Sequence, residues 1–249
     1  MTRRRIALYV TAGCLAYAAA LIAMLPASWI SQALGGFSNQ LLLRDPEGTA
    51  WTGSGRLYLH RRSGAPLDLG MLRWNASLST TLAGKFATDF SLGDATRTAH
   101  LELSRGSTAV RGVNLELPAS ILADLAPGLE VLGPQGTLLI RSENLRIDGD
   151  VILGMVDVEW RPARLALARG LKLGSHVAHL RGGGGKVDVE FATIEGPLRL
   201  SGGGAWTRKN GLAVSGALEH GDGAPAMTSF LQGVCSEYRS GRCTFRFPR

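Results

Sequence analysis

Val187-Asp188-Val189-Glu190-Phe191 alternates apolar and acidic residues without a break. In an extended chain successive side chains point to opposite faces, so Val187, Val189 and Phe191 share one face and both carboxylates the other. A helix would scatter the same residues around its axis. The period recurs in Leu101-Glu102-Leu103, Leu115-Glu116-Leu117, Val156-Asp157-Val158-Glu159-Trp160 and Leu198-Arg199-Leu200. One-sided strands of this kind belong to antiparallel sheets with a wet face, whereas strands of a buried parallel sheet are apolar throughout. Glycine-rich breaks such as Gly182 to Gly185 and Gly202 to Gly204 are read as turns. The expectation is a mainly β chain of roughly 12 to 15 strands, too many for one flat sheet. The sheet must curl, or fold into a sandwich, so that its apolar faces meet.

Two stretches depart from the alternation. Ala119 to Leu125 carries Ile121, Leu122 and Leu125 at helical spacing and ends before Pro127; Met227, Phe230, Leu231 and Val234 repeat the spacing before Gly241. Both are too short to be stable alone and are expected to be short helices plugging the open ends of the curled sheet.

The segment Leu25-Pro26-Ala27-Ser28 recurs as Leu117-Pro118-Ala119-Ser120, and each copy precedes a Gly-Thr pair, Gly48-Thr49 and Gly136-Thr137. Leu57 and Leu59 then match Leu145 and Ile147, and Trp74 matches Trp160, at nearly constant offset. A fixed offset points to one supersecondary unit used twice, with approximate halves 26–116 and 117–249. Ala224-Pro225-Ala226, Phe230-Leu231 and Gly241 form a weaker third echo.

Arg3-Arg4-Arg5 precedes an uncharged run from Ile6 to Leu25. As a helix this run reaches about 30 Å, the thickness of a hydrocarbon core. The basic residues stay cytoplasmic, which predicts a tail at 1–5, an anchor at 6–25 and an exported domain at 26–249. Ala18-Ala19-Ala20 also fits a signal-peptide cleavage site, so a cleaved leader is the rival reading. Trp29 is placed either at the outer membrane interface or in the core of a first short helix.

Net charge is +7, of which three charges belong to the Arg cluster. The remaining +4 gives little support for a nucleic-acid partner. Cys14 falls inside the anchor, while Cys235 and Cys243 form a C-x7-C pair at the far end of the chain. Zinc sites use shorter spacings and further ligands nearby. A disulfide across the Ser240-Gly241 turn is the preferred reading, with two free thiols as the alternative.

Catalytic patterns are missing from the sequence. Gly182 to Gly185 followed by Lys186 is not a phosphate loop, because that motif needs glycine and a hydroxyl residue where Leu180 and Val187 stand. His176 and His179 are three apart, but on a strand they face opposite ways and cannot share a metal. No serine occupies a G-x-S-x-G elbow, and most acidic residues occupy the wet positions of alternating strands. Neither an enzyme nor a cofactor is expected.

Gly48-Thr49-Ala50-Trp51-Thr52-Gly53, then Leu72-Arg73-Trp74, Leu78 and Leu82-Ala83-Gly84, resemble the opening of the protein N component of bacterial type II secretion systems. The similarity continues through Leu173-Gly174-Ser175-His176, the glycine run after it, Glu195-Gly196-Pro197-Leu198 and Gly203-Gly204-Ala205-Trp206, covering nearly the whole chain, and Gly136 of the repeat is a further structural motif position. These are glycines and tryptophans of a scaffold, so they mark structural rather than catalytic positions. The resemblance implies a single-pass inner-membrane protein with its bulk in the periplasm, contacting platform subunits and the outer-membrane secretin. A second reading, from the curled apolar face alone, is a lipid-binding or lipid-bridging protein.

Overall fold

The computed structural model describes residues 3–37, 40–61, 65–82, 84–93, 98–125, 129–167, 171, 173–220, 235, 237–239 and 242–247. They form two compact units, Met1–Asp94 and Ala95–Arg249. Fourteen strands occur among the described residues, every pair of them antiparallel.

The first unit opens with helix α1 (Arg3–Ala23) and helix α2 (Ser28–Phe37). Strands β1 (Leu41–Gly48), β2 (Thr52–Leu59), β3 (Leu67–Ala76) and β4 (Phe86–Leu92) follow as a meander, with a one-turn helix α3 (Leu78–Leu82) between the last two. Alternation decides the core: Leu43, Leu57 and Trp74 face inward from β1, β2 and β3, and α2 lays Ile30 and Leu34 across them. α1 is uncharged from Ile6 onward, and its described side chains, from Tyr9 to Ala23, are all exposed. Among the described residues no helix is long and apolar enough to cross a membrane.

The second unit carries β5 (Ala99–Ser104), β6 (Ser107–Pro118), β7 (Pro134–Asp148), β8 (Val151–Leu165), β9 (Gly174–Gly184), β10 (Lys186–Glu195), β11 (Leu198–Thr207), β12 (Gly211–His220), β13 (Glu237–Arg239) and β14 (Arg242–Phe247). Sheet order follows chain order except at the end, where β14 lies between β12 and β13. No pairing among the described residues joins the first and last strands of this order, so it is open and does not close into a barrel. All five alternating stretches lie in strands.

Residues Ala119–Ile121 form a turn of 3-10 helix continued by α4 (Leu122–Leu125), and α5 (Leu129–Leu132) follows. The second expected plug helix and the third echo of the repeat lie outside the described residues.

At both glycine runs the structure differs from the expected turns. Gly202 to Gly204 sit in the middle of β11, paired to β10 and β12. A Cβ on Gly204 would fall 2.0 Å from the carbonyl oxygen of Ala213, and one on Gly202 2.7 Å from Phe191 Cε2. Glycine here lets the neighbouring backbone approach closely and leaves room for the Phe191 ring, which stacks on Phe245 with centroids 5.8 Å apart. In the other run Gly182 to Gly184 belong to β9, and only Gly185 makes the turn.

Candidate functional site

The repeated sequence builds the same joint in each unit. In the first, Pro26 forms an antiparallel bridge with Thr49, and Ala27 N–H donates to the Gly48 carbonyl at 3.2 Å. In the second, Pro118 pairs with Thr137 at the end of the β6–β7 ladder. The alanine that follows is sealed in both, with Ala27 2% and Ala119 0% exposed. A tryptophan closes each joint from the next strand: the Trp74 indole donates to the Thr49 carbonyl at 3.1 Å, and Trp160 to the Gln135 carbonyl at 2.9 Å. Both indoles reach back 25 residues along the chain. The drift in offset between the copies is therefore absorbed in which carbonyl next to the glycine is used.

Glycine is needed where these indoles and strands meet. Trp74 lies over Gly53, whose Cβ would come 2.6 Å from Trp74 Cζ2. Gly136 sits in a bulge opposite Pro162 with φ +104°, and a Cβ there would fall 2.1 Å from the Pro162 carbonyl oxygen. Gly48 ends β1 against Thr52, and Gly174 and Gly196 abut where β9 begins and β10 turns into β11. Trp206 lies in β11 between Val187 and Leu212.

Trp51 does something different: its indole N–H donates to the Ile22 carbonyl at 2.8 Å, in the last turn of α1. The same carbonyl accepts the Leu25 N–H at 3.3 Å, so the indole adds a second donor there and ties α1 to the β1–β2 turn. Ala50 N–H adds a bond to the Leu25 carbonyl at 2.8 Å.

In the second unit Ala163, Leu173 and Leu198 form a core bordered by Trp160, Leu165, Leu171, Leu218 and Cys235. Beside it opens an apolar cleft of about 160 Å³ whose lining includes Leu122, Leu132 and Leu200. His176, only 6% exposed, also lines it, with Nδ1 3.0 Å from Thr193 Oγ1. The Thr193 hydroxyl also accepts the Leu200 N–H at 2.6 Å, so one side chain links β9, β10 and β11. No sequence pattern had marked Thr193, because a single threonine on a strand carries no periodic signal. His179, on the opposite face, pairs with Asp157 at 2.6 Å.

Burial pushes the His176 pKa down, opposed by a hydrogen bond to the Leu173 backbone. The imidazole is thus neutral in the fold and protonates more readily in the unfolded chain. Its stabilising share is complete above the unfolded value of about 6.5 and is lost as pH falls from there through the lower folded value. Thermal unfolding followed by circular dichroism is expected to shift to lower temperature between pH 7 and pH 5, and His176→Gln should flatten that slope.

Cys235 and Cys243 are joined by a disulfide with Cα atoms 5.6 Å apart, Cys243 being fully buried on β14. Closing this loop constrains the unfolded chain by about 2–3 kcal/mol. In protein extracted from its own cell under alkylating conditions, mass spectrometry should find the two residues in one linked peptide. Two alkylated thiols would remove the bridge.

A second opening, a groove of about 760 Å³, follows a line of irregularities across β6, β7 and β8. Between Arg141 and Leu145 the β7–β8 register slips, and Ser142 fills the gap by donating its hydroxyl to the Met155 carbonyl at 2.7 Å. Asn114, Glu143, Asn144 and Asp157 line this groove. Gly112, which interrupts the alternation of β6, was the available signal. The wet face around it carries ion pairs, including Arg141 and Arg161 on Glu159 at 3.8 and 3.0 Å. Among the described residues no group of three or more His, Cys, Asp or Glu side chains could hold a metal ion.

Two antiparallel units braced by repeated strand joints, with glycines and tryptophans at the motif positions, define a β scaffold. The chain belongs to the family described as type II secretion system (T2SS), protein N, which it matches over residues 39–246. No curated protein and no solved structure matches it. Membership places the chain among the components of type II secretion machinery.

Proposed function

We propose that the protein is a single-pass inner-membrane component of the type II secretion system, supporting export of folded proteins through contacts with platform subunits and the secretin. The family match over residues 39–246 is the observation that carries this reading. The sequence supports the topology: the run from Ile6 to Leu25 is uncharged and as a helix would reach about 30 Å. Arg3 to Arg5 would then remain cytoplasmic and both β units would be exported.

Contact by strand addition has a defined place in this reading. β1 is the outer strand of the first unit, regular from Leu41 to Arg44. Beyond that, Asp45 at φ +48° and Pro46 break the edge, which limits how far a partner strand could extend.

Deleting the gene should lower release of folded type II substrates into the medium, and the full chain should restore it. Normal release would remove the proposal. The lipid-carrier reading is favoured by one feature, the apolar cleft beside Trp160. At about 160 Å³ it takes only part of an acyl chain, and Phe191 and Phe245 cover glycines elsewhere on the same apolar face. A specific lipid-trafficking defect with normal secretion would support that reading instead.

A further inference from the structure

We infer that α2 is an interfacial helix: its outer face rests on the bilayer at the foot of α1, and Trp51 holds it there. This rests on the reading of α1 as a membrane anchor.

The chain carries no charged residue between Arg5 and Arg44. Only the first half of that stretch is needed to span a membrane. The rest contains all of α2, whose inner face packs Ile30 and Leu34 into the first unit's core. Its outer face presents Trp29, Gln32, Ala33 and Gly36. A helix on the water-facing surface of a globular domain normally carries charge on its outer side. Here that side has an indole, the uncharged amide of Gln32 and small residues, and Trp29 is 56% exposed. Next to it, Met24 is 77% exposed just after the end of α1. Indole rings are favoured at the membrane–water boundary, where the ring body meets acyl chains and the N–H meets headgroups.

Three hydrogen bonds fix where this face sits relative to α1. Trp51 binds the Ile22 carbonyl, Ala50 the Leu25 carbonyl, and Ala27 the Gly48 carbonyl. The exit from α1 is therefore stapled to the β1–β2 turn and does not act as a free linker. The second unit shows why Trp51 is needed. There β6 runs into the repeated Leu-Pro-Ala-Ser segment and pairs along β7, with Leu139 standing at the position corresponding to Trp51. In the first unit α1 replaces that strand, and a helix cannot extend the ladder. The Trp51 indole supplies the link that strand pairing supplies in the other copy. Because the docking face has no cations, its attachment depends on indole and apolar contact and is insensitive to salt and to anionic lipid.

The test uses the full chain carrying Cys14→Ser, reconstituted in phosphatidylethanolamine–phosphatidylglycerol vesicles and spin-labelled through Trp29→Cys, Ala33→Cys or Arg44→Cys. The Cys235–Cys243 bridge leaves the introduced thiol as the labelling position. Labels at 29 and 33 should be relaxed more by membrane-dissolved oxygen than by a water-soluble nickel complex, with the order reversed at 44. Raising salt, or removing phosphatidylglycerol, should not change this. Trp51→Phe keeps the ring and loses the N–H donor, and should move positions 29 and 33 toward the water-like pattern of position 44. If 29 and 33 are as water-accessible as 44 while the protein resists carbonate extraction, the inference fails and the anchor stands. Protection of 29 and 33 from both reagents, the sign of a second copy on this face, would also overturn it. Release by carbonate would remove the anchor reading itself.

Discussion

Trp74→Ala is expected to destabilise the first unit by about 3–5 kcal/mol, the range for emptying a buried indole site. Trp74 is 6% exposed, fills the core with Leu43 and Leu57, and lies over Gly53, where no other side chain can move in. The loss has two parts that can be separated. Trp74→Phe keeps most of the ring volume and removes only the N–H bond to the Thr49 carbonyl, so it should cost about 1–2 kcal/mol, most of it the unpaired carbonyl. Denaturant unfolding of the full chain in detergent, followed by tryptophan fluorescence, measures both. Equal losses in the two variants would mean that the hydrogen bond, and not packing, holds the joint.

The second large effect is expected at Gly136. Alanine there meets a backbone obstacle and an unfavourable backbone angle together: a Cβ 2.1 Å from the Pro162 carbonyl oxygen at φ +104°. Main-chain atoms cannot swing aside as a flexible side chain can, so the β7–β8 bulge must shift. A loss of about 3 kcal/mol or more is expected. Gly183→Ala is the internal control, since a Cβ there meets nothing within 4 Å and the angle is ordinary. It should change stability by less than about 0.5 kcal/mol. Comparable losses at the two positions would show that the bulge relaxes.

The contrast between these glycines shows what sequence patterns carry and what they omit. Alternation in Val187 to Phe191 and Val156 to Trp160 determined strand identity and facing, because the side-chain period of a strand is a local property. The repeated Leu-Pro-Ala-Ser segments were also legible, and the structure gives them matching bridges and matching indole bonds. The Gly202 to Gly204 run was misread as a turn because glycine marks both a reversal of the chain and a close approach by other strands. Only the positions of Ala213 and Phe191, distant in sequence, separate the two. For the same reason the Thr193 hub carries no sequence signal and Gly112 is the one sign of the groove at Glu143: each depends on which strands become neighbours. Trp51 was legible as a motif residue, but its bond to Ile22 required knowing that α1 ends beside the β1–β2 turn. The expected boundary between halves at residues 116 and 117 lies within β6, while the compact units divide at Asp94 and Ala95.

Affinity capture of the full chain from gently solubilised membranes of its own cell, with co-purifying proteins and lipids both identified, tests the central claim most directly. The account predicts recovery of platform or secretin subunits of the type II system, at levels that fall when Gly136→Ala disrupts the second unit. Recovery of stoichiometric lipid with no secretion subunit would contradict it.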